Sequence, residues 1–290
     1  MARHLLSYSI GVHFMTRSPS SAKAQALVSR GATLCPGTYN EPSAVEAAMK
    51  GCIAVFMVFM PSFADLSEEA RHAGAIVEAA RAEGIKQAVY SSSFGIYDLP
   101  NLPAWDPNSL PATFLATKVQ ITDMVKDKFE TWSIIRPAKF MSDFLAPSMM
   151  IFAGLAETGV FTTALRPHDK LVLVDPNTIG AFGAAALMEP DKFKGQEVDV
   201  FDQLVTSEEL TASLAKSANR EMSVKFLSDA EVEEYRRKGD IFMMMQLLMR
   251  DAEKYADMEK VSSWGIPLNT MENFLESEKA RVVEIYGGGS

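Results

Sequence analysis

Residues 12–58, VHFMTRSPSSAKAQALVSRGATLCPGTYNEPSAVEAAMKGCIAVFMV, decide the fold of this chain. Apolar runs predict three strands, and helical periodicity predicts the two helices between them: 12–16, 20–30, 32–35, 41–50 and 53–60. The run IAVFMVFM at 53–60 is apolar throughout, which favours a strand buried on both faces of a parallel sheet. The short, regular alternation predicts an α/β fold.

The alternation continues downstream of this stretch. Helices are predicted at 66–83 and 107–129, and strands at 87–91 and 132–136. Beyond about residue 145 the pattern loosens into strands at 171–174 and 197–201, a helix at 178–188 and further helices. We therefore predict a doubly wound parallel sheet over 1–145 and a smaller C-terminal α/β lobe over 146–286, interleaved with the first domain. The final GGGS, 287–290, is interpreted as a linker scar.

Composition narrows the class of protein. The chain has 290 residues, 48% of them hydrophobic, which is enough for a sizeable core. Its net charge of −9 disfavours nucleic-acid binding, which needs a basic surface. Two cysteines form no disulfide framework, and we find neither a signal peptide nor a membrane span, so a cytoplasmic location is predicted. The histidines and cysteines show no metal-ligand spacing, so no metal is expected.

Residues 12–58, together with three later segments, resemble the NmrA-like family of atypical short-chain dehydrogenases. The later segments are AARAEGIKQAVYSSS at 79–93, TWSIIRPAKFMSDF at 131–144 and TIGAFGAAALMEPDKFKGQ at 178–196. The similarity runs from about residue 3 to about residue 225 and keeps the family's order and spacing. The resemblance implies a Rossmann-like fold.

The beginning of the chain departs from this family. Family members start with a strand and a Gly-x-x-Gly-x-x-Gly turn that holds the cofactor's pyrophosphate. Here MARHLLSYSIG, 1–11, resembles the end of the family's first helix, and the first strand and glycine-rich turn are missing. We expect the sheet to re-register, to be smaller, or to accept the N-terminus or a partner chain, and we hold a homodimer as a hypothesis.

Arg17 follows the predicted strand at 12–16, where the family often places an arginine for the 2′-phosphate of NADP. A planar guanidinium suits that contact. Because the glycine-rich turn is missing, we interpret Arg17 as a relic of NADP-binding ancestors. The alternatives are a working phosphate ligand and a solvated loop residue.

Lys118 is the main candidate for proton chemistry. The Tyr-x-x-x-Lys motif of short-chain dehydrogenases reads Phe114-Leu-Ala-Thr-Lys118 here, so the lysine is present and the phenol is not. Three interpretations remain open: a general acid, a hydrogen-bond donor to a bound carbonyl, or a surface lysine on a long helix.

The loops after the predicted strands supply the remaining candidates. SSSFGIYDLPNLPAWDP at 91–107 adds Ser92, Ser93 and Tyr97 to Lys118 as candidate catalytic residues. Aromatic, apolar and basic side chains nearby are predicted to contact substrate: Phe94, Trp105, Phe114, Lys139, Phe140, Met141, Phe144 and Met244. The alternatives are packing of the loop aromatics on the second lobe, and ordinary core or a dimer interface for the apolar segment at 241–249.

These features lead to one functional expectation and two alternatives. Without the phosphate turn, we expect no cofactor and interpret the protein as a cyclase or isomerase, pericyclic ring closure included, acting on a hydrophobic secondary metabolite in an apolar cleft. The first alternative is an NADP-dependent NmrA-like oxidoreductase whose recorded sequence starts late. The second is a non-enzymatic, NADP-sensing regulator. The expected partner is a hydrophobic small molecule, with neither nucleic acid nor membrane involved.

Overall fold

The computed structural model describes residues 1–145, 152 and 154–287. Its strands are β1 (His13–Thr16), β2 (Thr33–Pro36), β3 (Ala54–Val58), β4 (Gln87–Ser91), β5 (Thr131–Pro137), β6 (Lys139–Phe140), β7 (Val160–Thr163), β8 (Lys170–Val174), β9 (Gln196–Val200), β10 (Gln203–Thr206) and β11 (Ser223–Phe226). Its helices are α1 (Ala2–Ser7), α2 (Ala22–Val28), α3 (Pro42–Met49), α4 (Glu68–Ala82), α5 (Leu110–Lys128), α6 (Leu155–Thr158), α7 (Pro176–Met188), α8 (Pro190–Phe193), α9 (Ser207–Ala218), α10 (Asp229–Arg237), α11 (Ile241–Leu248), α12 (Met258–Ser263), α13 (Met271–Ser277) and α14 (Lys279–Tyr286).

Local sequence explains where the early helices begin and end. The side chain of Ser21 accepts a hydrogen bond from the Ala24 amide and caps α2. Pro42 opens α3, where a missing amide hydrogen costs nothing. Gly84 follows α4 with a φ of +76°, which a side chain would disfavour. The predicted helix and strand order over the first 137 residues is confirmed, with β4 at the predicted positions.

Contacts divide the chain into two compact units. Unit 1 comprises Met1–Ser93, Phe114–Arg136 and Ile179–Val198. Unit 2 comprises Phe94–Thr113, Pro137–Thr178 and Asp199–Ser290. The chain therefore passes between the units at five places, whereas the sequence analysis predicted two interleaved domains with a boundary at residue 145.

Unit 1 carries its strands in two separate sheets. β1 pairs with β2 in parallel, and the other sheet has the order β3-β4-β5-β9, with parallel pairing of β3 to β4 and of β4 to β5. Consecutive parallel strands joined by helices are the arrangement that the alternating sequence predicts. The α/β, Rossmann-like fold class is confirmed.

The two sheets of unit 1 share covering layers although no ladder joins them in the described part of the chain. On one face, Met15 of β1 packs against the apolar cluster that contains Val55 and Met57 of β3. On the other face, Phe14 of β1 packs against the cluster that contains Ala184 of α7, and Phe56 of β3 lies against Gly183 of the same helix. The described strands of unit 1 thus form two sheets with a split between β1 and β3, an arrangement that the sequence analysis did not predict.

The split corrects the prediction that residues 53–60 are buried on both faces. Val55 and Met57 are buried, but Ile53 and Met60 are 87% and 81% exposed and Val58 is half exposed. β3 ends its sheet, so the side chains at its ends lack the neighbours that a central strand would provide.

Unit 2 is built around short strands and a cluster of aromatic rings. β8 pairs with β10 antiparallel and with β6 in parallel, and β7 pairs with β11. In the core, the rings of Phe144 and Phe152 stack at 4.6 Å, and Phe161 meets both edge-on. The Tyr286 hydroxyl donates to the Phe144 carbonyl and ties α14 to this core. The sequence analysis did not predict the short strands β6, β7, β10 and β11 of this unit.

Candidate functional site

Lys118 lies inside unit 1 rather than on its surface. It projects from α5, and only 8% of the residue is exposed. Its Nζ donates to the Phe59 carbonyl at 2.9 Å and forms an ion pair with Glu69. The interpretation of Lys118 as a surface lysine is therefore wrong. The general-acid and hydrogen-bond-donor interpretations stay as predictions.

Helical spacing explains how these groups come together. Lys118 and Thr122 lie one turn apart on α5, in line with the buried Ile121 and Val125. Glu69, in the first turn of α4, begins the buried stripe of that helix and is only 3% exposed. Each of these buried stripes thus carries one charged side chain. Because a buried charge needs a partner, the two charges meet.

The hydroxyl of Ser92 is in the same region. Ser92 directly follows β4, is buried, and its Oγ lies 3.2 Å from the Thr122 Oγ1. Ser93, also predicted, is half-buried. The structure thus brings one predicted serine to the face of α5 that carries Lys118.

Burial and charge shift the protonation of this cluster. Loss of solvation lowers the pKa of Lys118, and the adjacent Glu69 carboxylate works in the opposite direction. Tyr90 of β4 is fully buried, and both burial and the Glu69 charge raise the pKa of its phenol. A short-chain dehydrogenase tyrosine needs a lowered pKa, so Tyr90 does not replace the missing phenol.

Phe114 begins the turn of α5 that precedes Lys118. Its ring meets the ring of Phe63 edge-on at 5.2 Å, and Phe63 is 64% exposed. Phe63 belongs to the loop that follows β3, after the carbonyl that Lys118 contacts. An accessible apolar surface therefore lies close in sequence and structure to the lysine.

Arg17 occupies the exposed end of β1. The amide of Ser18 donates to Thr16 Oγ1 and shapes the turn around Arg17. Burial raises the pKa of the Tyr39 phenol, and the positive charge of Arg17 works in the opposite direction. Tyr39 packs edge-on against Phe59 at 5.8 Å, and Phe59 packs against Tyr90 at 6.2 Å. A row of aromatic rings thus runs from Tyr39 through Phe59 to Tyr90 within unit 1.

The other predicted site residues belong to unit 2, where their environments differ. Phe94 packs against Phe201 at 6.1 Å, and Tyr97, half exposed, packs against Tyr255 at 5.6 Å. The Tyr255 hydroxyl donates to Asp98, the neighbour of Tyr97. The Tyr97 region is therefore an ordered surface of unit 2.

Two predicted substrate contacts are core residues instead. Met141 and Phe144 have no exposed surface and belong to the main apolar cluster of unit 2. Both lie on the turn after β6, where the chain enters that core. Packing therefore accounts for these two side chains, and their assignment to substrate contact is corrected.

Lys139, Phe140, Trp105 and Met244 are half-buried in unit 2. Lys139 pairs with Asp143 at 2.7 Å and lies over the Phe152 ring at 5.1 Å. Met244 lines a cavity of about 10 Å³, which is at most one water in size. Contact of these four residues with substrate stays a prediction.

One group of carboxylates has the geometry for a cation. Asp169, Asp251 and Glu253 of unit 2 hold oxygens within 4.8 Å of one another. However, the Arg166 guanidinium binds both Asp169 and Asp251 at 2.5 Å. The arginine occupies the position of a cation, so we interpret this group as a salt-bridge cluster.

Glu69 and the Phe59 carbonyl are the functional groups that the sequence analysis missed. A signal was present: an acidic residue on the apolar stripe of α4 and a basic residue on that of α5.

No helix in the described residues is long and apolar enough to cross a membrane.

The comparisons with known proteins agree with the α/β, Rossmann-like fold. The model of the NmrA-like family matches residues 1–277. An NAD(P)H azoreductase of Xenophilus azovorans is 26% identical over 200 residues, 69% of this chain and 63% of that protein. Quinone oxidoreductase 2 of Escherichia coli K12 is 23% identical over 223 residues, 75% of this chain and 68% of that protein. The chain thus aligns with about two thirds of the length of these relatives.

A solved structure shows the same fold. The NADPH-dependent quinone oxidoreductase of Escherichia coli, solved in complex with NADPH, superposes with a TM-score of 0.72 at 18% identity, over 96% of this chain and 94% of the other. The relatives named here are an NAD(P)H azoreductase and a quinone oxidoreductase that binds NADPH. These findings contradict the expectation of a cofactor-independent cyclase or isomerase, and likewise the expectation that no cofactor is used.

Proposed function

Because the chain belongs to the NmrA-like family, we propose that it is an NAD(P)H-dependent oxidoreductase. The observation that carries the proposal is the shared chemistry of its relatives, an NAD(P)H azoreductase and a quinone oxidoreductase. Azo bonds and quinones are both conjugated acceptors of two electrons. The substrate class we propose is therefore an apolar, electron-poor small molecule of this kind.

The residues present fit one end of the cofactor. Arg17 is exposed and directly follows β1, and its positive charge acts on the Tyr39 phenol. A guanidinium binds a phosphate through two parallel hydrogen bonds, and an aromatic side chain suits the adenine next to it. Arg17 and Tyr39 thus support an NADP preference, and the interpretation of Arg17 as a relic loses its basis once a cofactor is expected.

The pyrophosphate end has no such counterpart in the described residues. The turn between β1 and α2 contains no glycine, and no other described turn carries the glycine pattern of the family. We assign no residue to the pyrophosphate and derive no step from it.

We assign to Lys118 the proton that the reaction needs in addition to the hydride. When bound, the cofactor gives a hydride, two electrons and one hydrogen, to the acceptor, and reduction of a quinone or an azo bond then consumes one proton more. Within the described part of the chain, the Lys118 ammonium donates two hydrogen bonds, one to the Phe59 carbonyl and one to the Glu69 carboxylate. Its third N–H can therefore donate to a bound acceptor. We assign delivery of the proton to this third N–H, with the Phe63–Phe114 pair contacting the apolar substrate.

The test is acceptor-dependent oxidation of NADPH by the purified protein, followed through the nicotinamide absorbance. A quinone and an azo compound serve as acceptors, and reactions without acceptor or with heat-denatured protein are the controls. We expect steady NADPH oxidation with at least one acceptor and slower oxidation of NADH. A folded protein that oxidises neither nucleotide with either acceptor would refute the proposed function.

A further inference from the structure

We propose that Glu69 is a positioning residue, whose carboxylate holds Lys118 charged and aims its third N–H. This inference rests on the proposed function, in which Lys118 delivers a proton. It starts from the contact of Lys118 Nζ with the Glu69 carboxylate and, at 2.9 Å, with the Phe59 carbonyl. Both acceptors and the lysine belong to unit 1.

Geometry gives Glu69 its first role. A lysine side chain has four rotatable bonds, so a single contact leaves its ammonium mobile. Two acceptors from different elements, the loop after β3 and the first turn of α4, fix the direction of the C–N bond. The remaining N–H then points in one direction only. A proton donor must lie within hydrogen-bond reach of its acceptor, so this fixed direction matters for transfer.

Charge gives Glu69 its second role. The side chains of Lys118 and Glu69 are 10% and 2% exposed, so water does little to stabilise the ammonium. Burial alone favours the neutral amine, which has no proton to deliver. The carboxylate opposes that tendency. The carboxylate thus favours the protonated form of Lys118, while burial makes its proton easier to give up than that of an exposed lysine.

The neighbouring titratable groups leave this role to Glu69. Tyr90 faces the cluster from β4, but its phenol stays neutral because burial and the Glu69 charge raise its pKa. Ser92, which directly follows β4, and Thr122 of α5 carry uncharged hydroxyls. Within the described residues, the Glu69 carboxylate is the negative charge paired with Lys118.

The experiment compares the wild type with Glu69→Gln, which keeps the shape and one acceptor oxygen but removes the charge. The first readout is the side-chain titration of Lys118 by NMR, assigned with Lys118→Met, and it needs no substrate. We expect the titration of Lys118 to move to lower pH in Glu69→Gln. An unchanged titration would overturn the inference whether or not the protein is an oxidoreductase.

The second readout is the rate of NADPH oxidation as a function of pH. In Glu69→Gln we expect kcat at neutral pH to fall about tenfold, the alkaline limb of the profile to move to lower pH, and the KM for NADPH to stay within about threefold. A profile of unchanged shape would overturn the inference.

Two further variants keep the test decisive. Glu69→Asp retains the charge, so we expect it to keep the titration close to that of the wild type and to recover part of kcat, even if Glu69→Gln folds poorly. If Glu69→Asp shifted the titration as far as Glu69→Gln, the inference would be wrong. If the titrations behave as expected but no variant oxidises NADPH, the proposed function fails and the pairing of Glu69 with Lys118 stands.

Discussion

Unit 1 presents two basic side chains in opposite settings. Lys118 is buried, paired with Glu69 and bonded to a backbone carbonyl, whereas Arg17 is exposed at the end of β1. A buried charge is tied to the stability of the fold, because removing its partner leaves it without solvation. An exposed charge is free to meet a ligand at little structural cost. Substitutions at the two sites should therefore change different properties of the protein.

The largest effect is expected from Glu69→Ala, which leaves Lys118 buried without its counter-ion. We predict a loss of about 3–5 kcal/mol in the free energy of unfolding, measured by urea denaturation at neutral pH. Glu68→Ala is the matched control, since Glu68 precedes Glu69 in the same turn but is one third exposed and lies 3.8 Å from His72. We predict a loss below about 0.5 kcal/mol for that control.

A double variant checks the cause of this loss. Glu69→Leu with Lys118→Met removes both charges and keeps similar volumes, so its stability should lie within about 1 kcal/mol of the wild type. If Glu69→Ala unfolds no more easily than Glu68→Ala, the ion pair contributes nothing to stability. The proposed difference between the buried Lys118 and the exposed Arg17 would then be wrong.

Arg17→Ala should act on binding and leave stability alone. Loss of a charged contact to the 2′-phosphate should weaken NADPH binding about 10- to 100-fold, with NADH binding unchanged, as measured by fluorescence titration. The free energy of unfolding should change by less than about 0.5 kcal/mol. Arg30→Ala, at an exposed position after α2, is the control for a general loss of positive charge. Equal weakening of NADPH and NADH binding would remove Arg17 from the phosphate site.

Ser92→Ala should destabilise the fold less than Glu69→Ala does. It removes the contact at 3.2 Å with Thr122 and leaves the Thr122 hydroxyl buried, at a cost of about 1 kcal/mol in the free energy of unfolding. Ser93→Ala, at the half-buried neighbouring position, should change that free energy by less than about 0.5 kcal/mol. Equal losses in both variants would mean that the Ser92 hydroxyl has no special place next to α5.

The pH dependence of stability should show the smallest effect. The pKa of Lys118 is lowered in the folded protein, so the unfolded chain binds more protons between that pKa and the usual value of 10.5. Stability from this group therefore rises with pH across that window. Subtracting the stability of Lys118→Met at each pH separates the contribution of Lys118 from that of the tyrosines, which titrate in the same range. The difference in the free energy of unfolding should favour the wild type more as pH rises toward 10.5. A difference curve that is flat there would contradict the lowered pKa.

The sequence predicted the fold better than the site. Periodicity located α4 at 66–83 against an observed Glu68–Ala82, because apolar spacing is a local property. The pairing of Lys118 with Glu69 joins residues 49 positions apart, and no local pattern specifies which helix faces which. Met141 and Phe144 were assigned to substrate because a loop position does not reveal that the chain turns into a core there. The sequence analysis did not predict strands β6, β7, β10 and β11 of unit 2, because two to four residues are too few to show a clear alternation of apolar and polar side chains.

The functional expectation failed for a different reason. It rested on the absence of a glycine-rich turn from the first residues of this sequence, whereas an azoreductase and a quinone oxidoreductase that match the chain use nicotinamide nucleotides. Arg17, which is exposed directly after β1, is consistent with the corrected proposal.

The central claim, that this protein is a nicotinamide-dependent oxidoreductase, depends first on cofactor binding. The most direct test is a calorimetric titration of the folded wild-type protein with NADPH and, separately, with NADH. The account predicts saturable binding in the micromolar range for NADPH and weaker binding for NADH. The absence of measurable heat from either nucleotide at millimolar concentration, in protein shown to be folded by circular dichroism, would contradict it.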